Sequence, residues 1–532
     1  MVGSASTVLL ALIAGLAVAL WQAGVAREQA RLAELERGNA ERASARAERA
    51  QSFLLSVFFS ADETQVRGEK LTAAEILASA VKRLEQEFAD VPLQQNELRL
   101  ALAKIYRNAG SHQTVLTLTA QNLTSLAALA DAPKALIAQT HYIRGSSEHA
   151  LDQLPAAFSD ASVASALYRS LGEAYAQDLA KALMLVSESS VDEANVENLA
   201  PINEAIGIFA RVSGTDSVDY ADALVGRATL WEGIGEYAKA RADYESGLPV
   251  LVQRYSDVHP VTAIARLTYA GVLDRLGVRD AAQAQFEIAV SATRTLFGNQ
   301  SLRLARALFS RGIFYQSNGE NALAVADYRE ALAIREATPV LLAHLHRYLG
   351  NTLSMLGKQD QALRALRNAA QRYQDLSGAY DLERWRTLAD IGGVLAKQDQ
   401  PRAGMAQLEQ AIDGIGKLIG ADRYQLIRPL GALAKIQISL EQRTEASKTL
   451  ARGLAISLAQ LGPTHRFTCG FYLAQAELAI GSEANGDSAV MAARRVALVA
   501  CQRALSALRS PGGDTAQLDE ELARIAVVLS AP

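Results

Sequence analysis

Small and large apolar residues return along this chain in a fixed order and at a fixed spacing. Gly312, Tyr315, Gly319, Ala324, Tyr328 and Ala331 set the pattern. Ala228, Trp231, Gly235, Ala240, Tyr244 and Gly247 repeat it, as do Ala270, Leu273, Gly277, Ala282, Phe286 and Ala289. Gly350, Leu353, Gly357, Ala362, Leu366 and Ala369 repeat it again. Residues three or four apart share one face of a helix, so each unit predicts two amphipathic helices joined at a turn. Counted from the start of a unit, position 8 is small and position 11 is large and mostly apolar. Position 15 is the turn, where a left-handed residue is needed and glycine supplies it. Positions 20, 24 and 27 run small, large, small along the second helix. Units begin near Ala221, Ala263, Ala305, Ala343, Trp385 and Ile427, at steps of 42, 42, 38, 42 and 42 residues. A period of this kind predicts a stack of helical hairpins, each burying its apolar face against its neighbours.

Two units depart from the pattern. The one at Trp385 has Asp399 at the turn and Gly404 where alanine is expected. The one at Ile427 has Gln437 at the large position and Glu441 at the turn. Looser hairpins are expected there. Upstream, Ala103, Tyr106 and Gly110 mark an earlier unit whose second helix is degenerate (Val115, Thr119), and Thr140 to Ile208 is helical in composition without a fixed register. Beyond Gly481 a polar loop precedes helices that cap the stack.

The small–large–glycine, then alanine–aromatic–alanine order resembles the tetratricopeptide repeat. The period exceeds the ~34 residues of the standard repeat, and is similar to the long repeats of kinesin light chains. The resemblance implies an all-α fold, a right-handed α-solenoid, that binds proteins or peptides. It also implies that positions 2, 5, 9 and 12 of each first helix line a groove. Those positions hold Arg306, Phe309, Ile313 and Gln316, then His344, Arg347, Asn351 and Ser354, then Arg386. Arg347 and Asn351, one helical turn apart, are expected to grip a carboxylate or backbone of an extended peptide. Asp390 falls where a further gripping residue would stand, so half of a carboxylate clamp is missing.

The N-terminal region reads differently. Thr7 to Ala26 is a run of about twenty residues without a charge, enough to cross the ~30 Å hydrocarbon core of a bilayer as a helix. The expectation is one uncleaved transmembrane helix preceding the solenoid. Arg27 to Arg49 mixes charges of both signs with alanine and reads as a solvated helical stalk. Phe53 to Phe59 is strongly apolar; the first core helix is the preferred reading, a self-association patch the other. Span, stalk, the QSFLLSVFFSAD segment (51–62), Leu71–Leu77 and Phe88–Pro92 together resemble the transmembrane and repeat region of bacterial membrane serine/threonine kinases. That likeness implies a periplasmic repeat domain, whereas Arg27 and Arg31 after the span favour the cytoplasm. Kinase activity is not implied. The sequence has no glycine-rich phosphate loop, no His-Arg-Asp catalytic loop and no Asp-Phe-Gly, each needed to hold ATP, magnesium and the acceptor hydroxyl.

The chain divides into an anchor (1–26), a stalk (27–52), an N-terminal helical region (53–219), a regular array (220–480) and a loop with capping helices (481–532). Proline is scarce, 12 of 532 residues, which favours helix throughout. The net charge of −4 gives no electrostatic reason to expect nucleic acid. Cys469 and Cys501 pair only if two capping helices bring them together; two buried free thiols are the expectation. His344 and His346 point to different sides of a helix and cannot share a metal, and His259 and His465 occupy one turn position. No catalytic constellation, metal or cofactor is expected. The function read from the sequence is a membrane-anchored sensor or scaffold for protein or peptide binding. The alternatives are the sensor portion of a split kinase and a self-assembling scaffold.

Overall fold

A computed structural model describes residues 52–53, 73–190, 196–376, 378–480, 488–507 and 516–530. The described residues are helical, with no strand among them. They form two compact units that divide at Gly226.

The first unit holds α1 (Ala73–Glu87), α2 (Pro92–Asn108), α3 (His112–Ala127), α4 (Lys134–Ala150), α5 (Leu154–Leu171), α6 (Ala176–Glu188), α7 (Leu199–Val212) and the start of α8 (Val218–Gly233). The second continues with α9 (Tyr237–Tyr255), α10 (Pro260–Arg275), α11 (Arg279–Phe297), α12 (Leu302–Ser317), α13 (Asn321–Leu332), α14 (Pro339–Met355), α15 (Gln359–Asp375), α16 (Asp381–Lys397), α17 (Pro401–Ile419), α18 (Ile427–Ser439), α19 (Arg443–Leu461), α20 (Arg466–Ile480), α21 (Ser488–Ala507) and α22 (Ala516–Ser530). Each predicted repeat is one antiparallel hairpin. In the second unit each first helix also touches the next first helix, α10 to α12, α12 to α14, α14 to α16, α16 to α18 and α18 to α20. The second helices show no comparable contact with one another. The first helices therefore share one inner wall.

The repeat positions do what their spacing requires. Tyr244, Tyr328 and Leu366 at position 24 are fully buried, each worth about 1.5–3 kcal/mol relative to exposure. They lie where position 8 leaves room: a Cβ on Gly350 would stand 2.6 Å from Leu366 Cγ, and one on Gly312 would run into the Tyr328 ring. The turn at position 15 is left-handed at Gly235, Gly277, Gly319 and Gly357, and also at Asp399 (φ 57°) and Glu441 (φ 60°). The substituted turns thus keep the glycine conformation.

The hairpin at Trp385 is not loosened at its crossing. Gly392 and Gly404 face each other there, and a Cβ on Gly404 would stand 2.5 Å from the Gly392 carbonyl oxygen. The second glycine lets two backbones touch. Gly404→Ala should destabilise the second unit by about 1–3 kcal/mol, because backbone cannot rotate away as a side chain does. An unchanged urea midpoint would show that the helices part at no cost.

A hairpin the sequence did not resolve lies at α4 and α5. Its register starts at Ala138, with Gly145 at position 8, Asp152 (φ 61°) at the turn and Ala157, Ala161 and Ala164 on the second helix. Arg144 and Asp160, sixteen residues apart, bind each other across it. The same pair recurs as Arg227–Asp243 (2.6 and 2.7 Å) and Arg311–Asp327 (2.7 and 2.8 Å), with the aspartates buried. Bidentate pairs of this kind fix two helices against each other geometrically.

Position 11 of this hairpin is Glu148, in the place of the usual large apolar residue. It is 8% exposed, and its Oε2 has no hydrogen-bond partner. Asp160, its neighbour, is already committed to Arg144 and to His141, whose Nδ1 lies 2.8 Å away. Burial, and then the Asp160 carboxylate, push the Glu148 carboxyl up to about 7, against the opposing pull of Arg144. A folded-state value above the unfolded one means stability that is complete below about pH 4.5 and is lost as pH rises through 7. Glu148→Gln should therefore raise stability at pH 8 by about 1–2 kcal/mol and leave pH 5 nearly unchanged. Melting curves at the two pH values check this, and equal gains at both would rule the titration out.

Two sequence expectations are corrected. Cys469 and Cys501 are not free thiols but form a disulfide between α20 and α21, with Cα atoms 5.5 Å apart. The single-pass membrane architecture and its localisation are not sustained: among the described residues no helix is long and apolar enough to cross a membrane. The physical reason is amphipathicity. Even α21, at 20 residues, carries Arg494, Arg495 and Arg503. The expected span at Thr7–Ala26 and the stalk to Arg49 lie outside the described residues, and membrane placement is not carried forward. In the apolar run at Phe53–Phe59, Phe53 is buried and packs edge-on against Phe88 at 5.4 Å; Leu54 to Phe59 lie outside the described residues.

Candidate functional site

The inner wall of the second unit holds most of the groove residues expected from sequence. At its α12–α14 end, Phe309 packs edge-on against Tyr348 at 5.1 Å and beside His344 at 6.3 Å, leaving a partly exposed aromatic patch. His344 Nδ1 lies 2.7 Å from the Tyr373 hydroxyl. Burial first, then Arg347 and Arg386, lower the His344 pKa, while Glu383 opposes them. Its contact with Tyr373 anchors α14 to α15. Gln316 is occupied likewise, accepting the Tyr328 hydroxyl proton at 3.1 Å within its own hairpin. Arg306 is exposed on α12 and does not join the pocket described next.

Arg347 and Asn351 come together as expected, but what they grip belongs to the protein. Arg347 Nε donates to Asp390 Oδ2 at 2.8 Å, and Asn351 Nδ2 donates to the same oxygen at 3.0 Å. Arg347 Nη1 donates to Glu383 Oε2 at 2.6 Å, while Arg386 Nη1 takes Glu383 Oε1 at 2.8 Å. Burial works against the Arg347 charge, and Asp390 and Glu383 more than restore it, so its pKa lies above the usual guanidinium value. At 7% exposure Arg347 is an interhelical strut between α14 and α16.

Next to this network the wall opens into a cavity of about 430 Å³ between α14, α16, α18 and the start of α20. Arg347, Asn351 and Arg386 are among its lining residues. Lys397, near the end of α16, and Arg428, at the start of α18, also line it, both exposed. Lys397 Nζ has only the Ser354 hydroxyl, at 3.3 Å, and among the described residues neither cation has a carboxylate partner. Gln425 is among the lining residues, and its Oε1 is buried without a hydrogen-bond partner. Met355, Tyr424 and Phe467 make an exposed apolar rim. The turn Tyr424–Leu426 brings Tyr424 and Gln425 to the cavity before α18 starts. His465 caps α20, its Nδ1 accepting from the Phe467 amide at 3.2 Å, as His259 accepts from Val261 at 3.3 Å. The shared turn position of these histidines is thus a helix cap.

Sequence reasoning missed Lys397, Arg428 and Gln425. Arg428 stands at position 2 of its unit, so extending the groove rule to the sixth unit would have found it. Gln425 precedes the helix, and no periodic signal marks it.

No family model matches the sequence, and no curated protein matches it. Similar solved structures include the apo form of the quorum sensor NprR from B. thuringiensis, 14% identical with a TM-score of 0.47, covering 68% of this chain and 98% of that one. A tetratricopeptide repeat protein from Parabacteroides merdae is 11% identical with a TM-score of 0.38, covering 57% and 98%. BtubC from P. vanneervenii is 19% identical with a TM-score of 0.38, covering 42% and 92%. These neighbours are helical repeat proteins, and the likeness of the N-terminal region to membrane kinases finds no support among them. The hairpin architecture of this chain rests on its own helices, turns and repeat positions.

Proposed function

We propose that the inner wall formed by α12, α14, α16 and α18 binds an extended peptide, or an exposed segment of a protein partner, and that the chain works as a scaffold or sensor through that contact. The observation that supports this most is the unfilled part of the wall. An aromatic patch at Phe309 and Tyr348 leads past a self-satisfied ion network to a cavity with an apolar rim and unpaired cations. Partly exposed aromatic side chains are good anchors, since they bury large area at small cost in side-chain entropy. An extended peptide spaces alternate side chains to one side, which suits a wall with separated pockets.

Selection of a random heptapeptide phage library on the full chain tests the reading. Recovered peptides should bind with one-to-one stoichiometry in fluorescence anisotropy. Phe309→Ala should weaken them about tenfold, the loss of one anchoring side chain. Failure to enrich any sequence, or peptides indifferent to substitutions along the wall, would remove the proposal.

A further inference from the structure

We propose that the outer face of the second helices binds a second copy of this chain, about a two-fold axis that runs between α11 and α13. This face lies away from the inner wall, and its use does not depend on the peptide reading above.

The order of charges along the face carries the inference. Position 25 follows the large core residue of each second helix. It holds Glu245, Glu287, Arg329 and Arg367 in four consecutive hairpins, all exposed, and Glu409 ends the order in the fifth. Equivalent positions in a repeat array lie at one height along their helices, so these charges form a row across the outer face. Turn the row over about an axis parallel to the helices and midway between α11 and α13. Every sign then meets its opposite. Glu287 faces Arg329 of the second copy, Arg329 faces its Glu287, and Glu245 and Arg367 meet at the flanks. An isologous two-fold interface needs a surface that complements itself in this way. A row of one sign, or one symmetric about its centre, would repel its own copy.

The central charges are also available. Glu287 Oε1 accepts from the neutral Gln283 amide at 2.9 Å, and Arg329 Nη2 donates to Gln361 Oε1 at 3.1 Å. Among the described residues neither has an ion-pair partner, although Arg294 and Glu330 beside them pair at 2.6 Å. At the flank, Glu245 is already held by Arg241 at 2.8 Å, so the central pairs carry the contact.

The relief around the row permits close approach. Position 22 is Ala284 on α11 and Ala326 on α13, and position 29 is Ser291 and Ala333, all exposed and short. Leu323, 47% exposed on α13, adds apolar area beside them. Copies joined by these outer faces keep both inner walls open, and two walls in one particle raise avidity for a partner that displays two segments.

Sedimentation velocity on the full chain tests this. The parent should show a dimer that weakens with added salt. Glu287→Arg sets arginine against arginine across the axis, and Arg329→Glu sets glutamate against glutamate. Each variant alone should dimerise with a Kd at least tenfold higher. Both substitutions are at exposed positions, so circular dichroism should match the parent. Mixed in equal amounts, the two variants should form a heterodimer about as tight as the parent dimer, because each arginine again faces a glutamate. Pairing within one chain could not produce that rescue. A parent that stays monomeric at all concentrations overturns the inference. So do variants that dimerise as well as the parent, or weakened variants that mixing does not rescue. None of these outcomes bears on peptide capture by the inner wall.

Discussion

Arg347→Glu will lower the unfolding free energy of the second unit by about 3–5 kcal/mol, the usual cost of breaking a buried ion pair and stranding its partners. The sequence invites the opposite use of this substitution, as a gentle probe of binding, because position 5 of a first helix should face solvent. In the structure the guanidinium is 7% exposed and satisfies Asp390 and Glu383 at once. A glutamate there places three carboxylates together, with Arg386 still paired to Glu383. Thermal melts of parent and variant decide the matter. A melting point within a degree or two of the parent would show that Arg347 is a groove residue and not a strut. Lys397→Glu, by contrast, should leave the melt unchanged, since that ammonium has no ion pair to lose.

Breaking the Cys469–Cys501 bridge will release the C-terminal helices. The cysteines lie 32 residues apart, and closing a loop of that size removes about 3–4 kcal/mol of denatured-state entropy in the chain-entropy model. In a row of hairpins the loss stays local, because each hairpin contacts only its neighbours. Amide hydrogen exchange with and without dithiothreitol should therefore show faster exchange in α20, α21 and α22, with α10 to α15 unaffected. Exchange that is the same in both conditions would mean that the apolar cluster of Leu473, Leu498, Leu505 and Ile525 holds the cap unaided.

What could be read from the sequence follows from which forces are periodic. The small–large–glycine order at Gly312, Tyr315 and Gly319 records backbone geometry and core volume, and both recur in every hairpin. The positions, the turns and the hairpin register were therefore legible. The α4–α5 hairpin escaped because Glu148 and Ala161 occupy its two large positions, so its apolar signal is gone although Gly145, Asp152 and Ala157 keep the geometry. Its Arg144–Asp160 pair, matched by Arg227–Asp243 and Arg311–Asp327, was the signal that remained. The placement of Arg347 and Asn351 on the first-helix wall was legible, and their internal pairing was not. Nothing local to Arg347 or Asn351 says that Asp390, about 40 residues on, occupies them. The pairing of Cys469 with Cys501 was hidden for the same reason, since it depends on where two non-repeating helices pack.

The Arg–Asp stitches also set where the second unit gives way. Hairpins starting at Ala221 and Ala305 carry one, whereas positions 7 and 23 are Leu349 and Ala365, Ile391 and Gln407, then Leu433 and Thr449 in the last three. The last three surround the cavity, while the hairpin at Ala263, with Tyr269 and Gln285 at the two positions, is unstitched and lies away from it. An array opens from its ends, and here the C-terminal end is closed by a covalent latch between α20, which borders the cavity, and α21. Fraying from the C-terminus meets that latch before it reaches Arg428, so the wall around the cavity is protected by the bond behind it.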